Sequence, residues 1–128
     1  MTGRTWTVEL PARLPLLNAN DRVHWRIRRD RTKAIRQAAF LTARMTLIPM
    51  LERAHVVGEY RPPDRRRRDV ANLYPSFKAA IDGALVDARV LPDDSDAYLV
   101  GPDMRIGDVH PGGRLVLHIT ELEVPDGD

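Results

Sequence analysis

The sequence predicts a single α+β domain over residues 1–128, with a mixed sheet of about four strands and two main helices. Three observations support this fold class. Short segments alternate apolar and polar residues with the two-residue period of a strand. Two longer segments repeat apolar residues at the three- and four-residue spacing of an amphipathic helix. These segments follow one another in the order β-α-β-α-β-β, and 128 residues is the usual length of one domain.

Four segments have the alternation and the composition of strands. They cover residues 5–10, residues 55–60, residues 97–100 with an extension towards Ile106, and residues 114–122. The last segment is the clearest, because every second residue is a large aliphatic one: Leu115, Leu117 and Ile119. A turn at residues 110–113 precedes it, and the tail at residues 124–128 is predicted to be frayed.

The first helix is predicted between the first two strands. It begins at Trp25 or Thr32 and ends near Thr46, before Pro49. Asp21 is the expected N-cap, because a short acidic side chain before a helical segment can accept from its free amides. The residues predicted to share one face are Ile35, Ala38, Ala39 and Thr42.

The second helix is predicted to start near Pro75, since proline is well tolerated in a first helical turn. Its buried stripe consists of Phe77, Ile81, Ala84, Leu85 and Ala88. Pro92 ends the pattern, and Asp93 and Asp94 follow in a loop.

Two absences restrict the function of the chain. It has no cysteine, which excludes disulfides, thiolate metal sites and cysteine nucleophiles. No stretch approaches the roughly 20 apolar residues of a membrane span, and the N-terminus lacks the apolar region of a signal peptide. We therefore expect a cytoplasmic protein with no membrane partner.

The net charge of +2 conceals an asymmetry between the two halves of the chain. Residues 1–68 hold sixteen Lys and Arg against six Asp and Glu, a net +10, whereas residues 69–128 hold four against twelve, a net −8. A basic half suggests a polyanionic partner such as DNA. The residues expected to bind it are the arginine run, which is Arg65, Arg66, Arg67 and Arg68, and two residues of the first helix, Lys33 and Arg36.

Carboxylates lie directly beside these basic residues. Asp69 follows the arginine run, and Asp93 and Asp94 follow the second helix. Phosphodiester cleavage needs a divalent cation to activate water and to neutralise charge on the transition state, and Mg²⁺ prefers carboxylate oxygens. Arginines around such carboxylates attract the DNA backbone. The pattern therefore suggests a metal-dependent nuclease.

The spacing of these carboxylates in the sequence does not determine whether they come together in space. A helix over residues 75–88 is about 20 Å long, so the groups before and after it are separated by its length. The flanking loops, residues 69–74 and 89–94, are long enough to fold back along the helix. The two acidic groups could instead meet across a dimer.

Simpler interpretations of the same residues exist. An arginine run is often a solvated loop, and an Asp-Asp pair after a helix is often a turn. Lys78 and Asp82, four residues apart, could be an ordinary pair on the helix surface. Trp25 could stack on a base, although packing under the helix is the expected arrangement. The histidines that show no ligand spacing are His24, His55, His110 and His118.

The residues from the arginine run to Asp94 resemble the core signature of the RusA-type Holliday junction resolvases. The shared order is a basic run, Asp69, the pair Asn72 and Leu73, a lysine on the following helix (Lys78), and then Asp93 and Asp94. The resemblance is strongest over residues 62–106. Weaker similarity lies in the proline-containing loop at residues 10–20 and in the closing strand at residues 112–121.

This resemblance implies a structure-specific endodeoxyribonuclease that resolves four-way DNA junctions in recombination and repair. It implies a homodimer and Mg²⁺ as cofactor, with Mn²⁺ able to substitute. By position, Asp69, Asp94 and Lys78 would be catalytic, and Asp69, Asp94 and Asp93 would bind the metal.

The sequence departs from the family pattern at two points. Ala71 occupies the position of the second acidic residue, and a methyl group cannot bind a metal. Lys78 also lies further from Asn72 than the pattern has it. Asn72 or Asp96 could supply the missing oxygen. The alternative hypothesis is a non-catalytic protein of the same fold that binds branched DNA.

Overall fold

The computed structural model describes residues 3–123, and its centre is a four-stranded mixed sheet. The strands are β1 (Thr5–Glu9), β2 (Ala54–Arg61), β3 (Leu99–Ile106) and β4 (Arg114–Glu121). Their order across the sheet is β1-β4-β2-β3. β4 is antiparallel to both β1 and β2, whereas β2 and β3 are parallel. A parallel pair needs a crossover connection, which the second helix provides.

The helices lie where the sequence predicts them. α1 covers Trp25–Thr46, so the earlier of its two predicted starts is correct. A short 3₁₀ helix, Val70–Leu73, leads into α2, Tyr74–Ile81, and a π-helical turn, Asp82–Asp87, continues it. The α+β class and the order β-α-β-α-β-β are confirmed. The third strand takes the longer of its predicted forms, to Ile106.

The prediction of Asp21 as the N-cap of α1 is wrong. His24 holds that position, with an extended backbone and an Nδ1 that accepts the amide of Arg26 at 3.1 Å. Since α1 begins at Trp25 and its N-cap position is residue 24, Asp21 is three residues too early for its short side chain to reach the first free amides. Asp21 lies in the preceding loop, where its amide donates to the carbonyl oxygen of Asn18.

The core lies between one face of the sheet and the two helices. From α1 it takes Ile35, Ala39 and Ala43, so the predicted face is right for Ile35 and Ala39. The predicted Ala38 and Thr42 are only half-buried, and the buried face extends instead to Ala43. The predicted stripe of the second helix is also confirmed. Its fully buried members are Phe77, Ile81, Ala84 and Leu85, and they share the core with Leu115, Leu117 and Ile119 of β4.

Two glycines allow the layers to approach closely. A Cβ on Gly83, in the π-helical turn, would lie 2.0 Å from the carbonyl oxygen of Arg36 in α1. A Cβ on Gly58, in β2, would lie 2.6 Å from the ring of Phe77. At Gly83 the two helices therefore meet with no space for a side chain. At Gly58 the same is true of α2 and the sheet.

Two further sequence predictions concern membrane-spanning segments and the C-terminal tail. Within residues 3–123, no helix has the length and apolar character needed to cross a membrane. The predicted frayed tail at residues 124–128 lies outside the described residues.

Candidate functional site

An open cleft of about 600 Å³ lies at the end of the sheet beside the arginine run. We call it the central cleft. Its polar lining residues are Asn18, Asp21, Tyr60, Arg66, Arg67, Arg68, Asp69 and Asn72. Its remaining lining residues are Leu14, Leu16, Leu73, Gly112 and Gly113. Three segments far apart in the sequence thus meet here: the N-terminal loop, the segment before α2, and the turn before β4.

A buried serine attaches the N-terminal loop to α2. Ser76 is fully buried, and its Oγ accepts the amide of Leu17 and donates to the carbonyl oxygen of Leu17, both at 2.7 Å. Two residues further on, the amide of Ala19 donates to the carbonyl oxygen of Asn72 at 2.8 Å. These contacts fix Asn18 and Asn72 on the lining of the same cleft.

Asp69 stands at the foot of the 3₁₀ helix and lines the central cleft. Its Oδ1 accepts the amide of Ala71 at 3.0 Å, which caps the helix and orients the exposed carboxylate. Ala71 itself is exposed and brings no ligand atom. Asn72, which the sequence offers as a substitute ligand, lines the cleft with Asp69, whereas Asp96 is not among its lining residues.

The arginine run divides into one fixed residue and three exposed ones. Arg68 donates to the carbonyl oxygens of Asp64 and Arg66, and forms an ion pair with the Asp64 carboxylate at 2.8 Å. The amide of Arg66 and the guanidinium of Arg68 lower the pKa of Asp64. Arg65, Arg66 and Arg67 remain exposed, and the last two line the cleft. They are the cations of the run that can meet a phosphate.

Lys78 and Asp94 are in direct contact. The Nζ of Lys78 donates to Asp82 at 2.8 Å and also to Asp94, so the proposed surface pair with Asp82 is present. The chain folds back after the π-helical turn, where the amides of Val90 and Leu91 both donate to the carbonyl oxygen of Leu85. This return places Asp94 beside Lys78, within one subunit.

The charges of this group stabilise one another. Burial lowers the pKa of Lys78, but its hydrogen bonds with Asp82 and Asp94 outweigh burial and raise the pKa above its ordinary value. The ammonium of Lys78 in turn lowers the pKa of Asp94. Lys78 is therefore a permanent cation near neutral pH and not a general base, which needs a pKa close to the working pH.

The predicted metal ligands do not form one preassembled group. Asp69 lines the central cleft, whereas Asp93 and Asp94 are not among its lining residues. The Oδ1 of Asp93 accepts the amide of Ser95 at 2.7 Å. Among residues 3–123, no three His, Asp or Glu side chains lie close enough together to hold a metal ion. Mg²⁺, however, commonly takes only one or two carboxylates together with waters and substrate phosphates. Asp69, Asn18 and Asn72 bring oxygens of that kind to the lining of the cleft, and the Oδ1 of Asn18 also accepts the amide of Asn20 at 2.9 Å.

Arg36, predicted to bind DNA, already has a protein partner. Its guanidinium makes a two-pronged ion pair with Asp87, at 2.5 and 2.7 Å, which joins α1 to the π-helical turn. This pairing raises the pKa of Arg36 and lowers that of Asp87. Lys33 lies exposed on the same surface of α1. Arg36 thus offers less free positive charge than the sequence suggests.

A second polar cluster, missed by the sequence analysis, occupies the face of the sheet opposite the helices. Glu59 is only 6% exposed there and accepts from His118 at 2.6 Å, Arg61 at 3.0 Å and Arg105 at 3.3 Å. Burial raises the pKa of Glu59, but these hydrogen bonds outweigh it and lower the pKa to about 2. The cluster joins β2, β3 and β4.

The sequence analysis also missed the contributions of Asn18, Asp21 and Tyr60 to the cleft. No local pattern identifies them, because the cleft forms only when the N-terminal loop packs on α2. Scanned against known protein families, the chain matches no family model, and its sequence has no significant match among curated proteins.

Proposed function

We propose that the protein is a cytoplasmic, Mg²⁺-dependent endonuclease that cuts branched DNA at four-way junctions. The observation that carries the proposal is the central cleft. The exposed carboxylate of Asp69 lies there beside two exposed guanidinium groups, those of Arg66 and Arg67. A site that cleaves a phosphodiester needs this combination of anionic oxygens for a cation and positive charge for the DNA backbone.

Each group has a distinct role in the proposal. Arg66 and Arg67 bind backbone phosphates, which positions DNA without reading its sequence. Asp69 would hold the cation, with Asn18 and Asn72 as neutral oxygen donors. When bound, Mg²⁺ supplies an activated water and neutralises charge on the reacting phosphate, and Mn²⁺ can replace it.

Lys78 and Asp94 supply a second pair of charges to the proposed reaction. A phosphate that enters beside them competes with Asp94 for the ammonium of Lys78. Lys78 would then stabilise the negative charge that develops on the phosphate, and the released carboxylate of Asp94 would be a further oxygen donor for the cation. Resolution of a junction needs two cuts, so a homodimer with one site in each subunit suits this activity.

The second candidate function is binding of branched DNA without cleavage. Two observations favour it: Ala71 brings no ligand atom, and residues 3–123 contain no preassembled group of three metal-binding side chains. The arginine run would serve DNA binding equally well in such a protein.

A cleavage assay separates the two candidates. The purified protein is incubated with a synthetic four-way junction and with linear duplex of the same sequence, in Mg²⁺ and in EDTA. We expect paired nicks in the junction, in Mg²⁺ only. Asp69→Asn should slow cutting by about 100-fold or more, since even the outer partners of metal ligands contribute about 10- to 100-fold. Glu52→Gln, at an exposed site outside the cleft, is the matched control and should cut normally.

Three outcomes would contradict parts of the proposal. A junction that is bound but stays intact in Mg²⁺ would favour the non-catalytic candidate. Cutting that survives both Asp69→Asn and Asp94→Asn would show that these residues do not form the site. Equal affinity for junction and linear DNA would argue against both candidates.

A further inference from the structure

Trp25 is exposed at the first residue of α1, contrary to the expectation that it packs under the helix. Its relative exposure is 59%, and it is not part of the hydrophobic core. The other tryptophan, Trp6, is only half-buried but packs against the core. A single exposed apolar side chain is common and needs no explanation by itself, so the groups around the ring decide whether it can bind another molecule.

The surroundings of Trp25 hold it in an ordered cluster. The ring of His24 stacks on it, with ring centroids 5.6 Å apart and planes inclined by 30°. His24 is itself fixed, because its Nδ1 accepts the amide of Arg26 as the cap of α1. The guanidinium carbons of Arg26 and Arg29 lie 5.3 and 5.2 Å from the centroid of the Trp25 ring. We call these four residues the Trp25 cluster.

The Trp25 cluster is close to the central cleft. Asp21, which lines the cleft, is four residues before Trp25, and four residues span at most about 14 Å. Arg31 ties α1 to the cleft wall, since its Nη1 donates to the carbonyl oxygen of Leu16 at 3.2 Å. DNA held by the arginine run could therefore reach the exposed ring.

We propose that an unpaired DNA base stacks on Trp25 in place of a guanidinium that lies over its ring, and that Arg26 and Arg29 then contact the phosphates next to that base. Proteins that bind single strands combine these two elements, an aromatic face for the base and a positive surface for the backbone. The proposal rests on the proposed function and deepens it, because a branch point offers bases that are not covered by neighbours. The specificity for branched DNA would then lie in the Trp25 cluster, outside the catalytic residues.

Fluorescence of Trp25 tests the stacking directly. In the Trp6→Phe variant, Trp25 is the sole tryptophan of the chain. A short thymidine oligonucleotide should quench it, because a stacked pyrimidine accepts an electron from the excited indole at contact distance. An abasic oligonucleotide of the same length carries the same phosphates without bases and should leave the emission nearly unchanged. Equal quenching by both strands, or by neither, would overturn the proposal.

Affinity measurements test the contribution of the ring to binding. Trp25→Ala should weaken junction binding by about 5- to 160-fold, the range for one base on one aromatic ring, without changing the salt dependence. Trp25→Phe should recover most of the affinity. Met45→Ala, at a site 82% exposed near the other end of α1, is the matched control and should bind normally.

The outcomes distinguish this inference from the proposed function. Unchanged affinity of Trp25→Ala, with normal cutting, would overturn the stacking and leave the nuclease intact. Quenching by the thymidine strand with an uncut junction would retain the stacking and overturn the nuclease. A loss of junction affinity in Trp25→Ala without any base-dependent quenching would mean that the ring only positions Arg26 and Arg29 for the DNA backbone, and would overturn base stacking.

Discussion

Glu59 is a charged residue held in a nearly closed position on the outer face of the sheet. The backbone of Gly107 lies over it, and a Cβ on that glycine would be 1.9 Å from its Oε2. Since a carboxylate only accepts, the 2.6 Å contact assigns the proton of His118 to its Nε2. Arg61 and Arg105 donate from the two sides. A buried charge with this many donors is stable only while all of them are present.

Protonation of Glu59 should therefore destabilise the fold in acid. Its pKa falls from an ordinary 4.5 to about 2, so its contribution is full above pH 4.5 and is lost as pH falls towards 2. The difference corresponds to about 3 kcal/mol, at about 1.4 kcal/mol for each pKa unit. Glu59→Gln should lower the free energy of unfolding by roughly this amount at neutral pH. Urea denaturation at a series of pH values measures it.

The pH profile gives this prediction a sharper test than the size of the loss. The difference between wild type and Glu59→Gln should shrink as pH falls from 4.5 to about 2, because the wild type loses its own charge there. A difference that stays constant over that range would show that the charge of Glu59 is not what stabilises the sheet. Glu52→Gln, which removes an exposed carboxylate in the loop before β2, should follow the wild type throughout.

At the scale of residues, the sequence predicted those site members whose signal is local. Asp69 and the arginine run are adjacent in the chain, and the structure places Asp69, Arg66 and Arg67 on one cleft. Ser76 carries no such signal, because its partner Leu17 is 59 residues away. The sequence predicts that Trp25 packs under α1, because aromatic residues are usually buried, but the structure exposes it. The flanking arginines do not by themselves indicate how exposed the ring is.

At the scale of elements, the close packing of the second helical segment against α1 depends on one glycine. Gly83 lies in the π-helical turn, where it crosses α1 at the carbonyl oxygen of Arg36. The obstacle to a side chain is backbone, which cannot rotate away as a flexible side chain can. The ion pair between Arg36 and Asp87 is made across the same crossing.

Gly83→Ala should therefore force α1 and the π-helical turn apart. The new Cβ would lie 2.0 Å from the carbonyl oxygen of Arg36, far inside van der Waals contact. Overpacking of this kind lowers the free energy of unfolding by about 1–3 kcal/mol, which outweighs the usual gain in helix propensity from glycine to alanine. Thermal unfolding measures the loss. Gly3→Ala, where nothing lies within 4 Å, is the control, and a variant as stable as that control would mean that the crossing is loose.

The elements themselves were predictable, because packing one face of each element against the core makes its apolar residues repeat at a regular spacing. Residues at every second position of β4 and at three- and four-residue spacing in α2 face the same core. The π-helical turn was not predictable. Its residues Ala84 and Leu85 also fit the stripe of a regular α-helix, and the wider turn reflects the crossing at Gly83, a tertiary contact. The start of α1 likewise depended on the His24 cap, whose role the sequence pattern did not reveal.

At the scale of the molecule, the fold mixes the two oppositely charged halves of the sequence. Arg4 pairs with Glu121 at 2.8 Å, across 117 residues of chain, and Arg36 pairs with Asp87 across 51 residues. The surface available to a polyanion is therefore smaller than the net +10 of residues 1–68 suggests. Arg66 and Arg67 are exposed at the cleft and form no ion pair within residues 3–123, so their charge is available to a polyanion.

The salt dependence of DNA binding should therefore depend on where an arginine lies and not on how many the chain contains. Each phosphate contact contributes about 0.9 to the slope of log affinity against log salt, so the double variant Arg66→Ala with Arg67→Ala should lower the slope by about 2. Arg36→Ala removes the same kind of charge, but Asp87 already neutralises it, so its slope should equal that of the wild type in titrations at several salt concentrations. An unchanged slope in the double variant would mean that DNA does not meet the cleft. A lower slope in Arg36→Ala would mean that Arg36 leaves Asp87 and contacts a phosphate in the complex. The DNA would then lie on the outer surface of α1 instead.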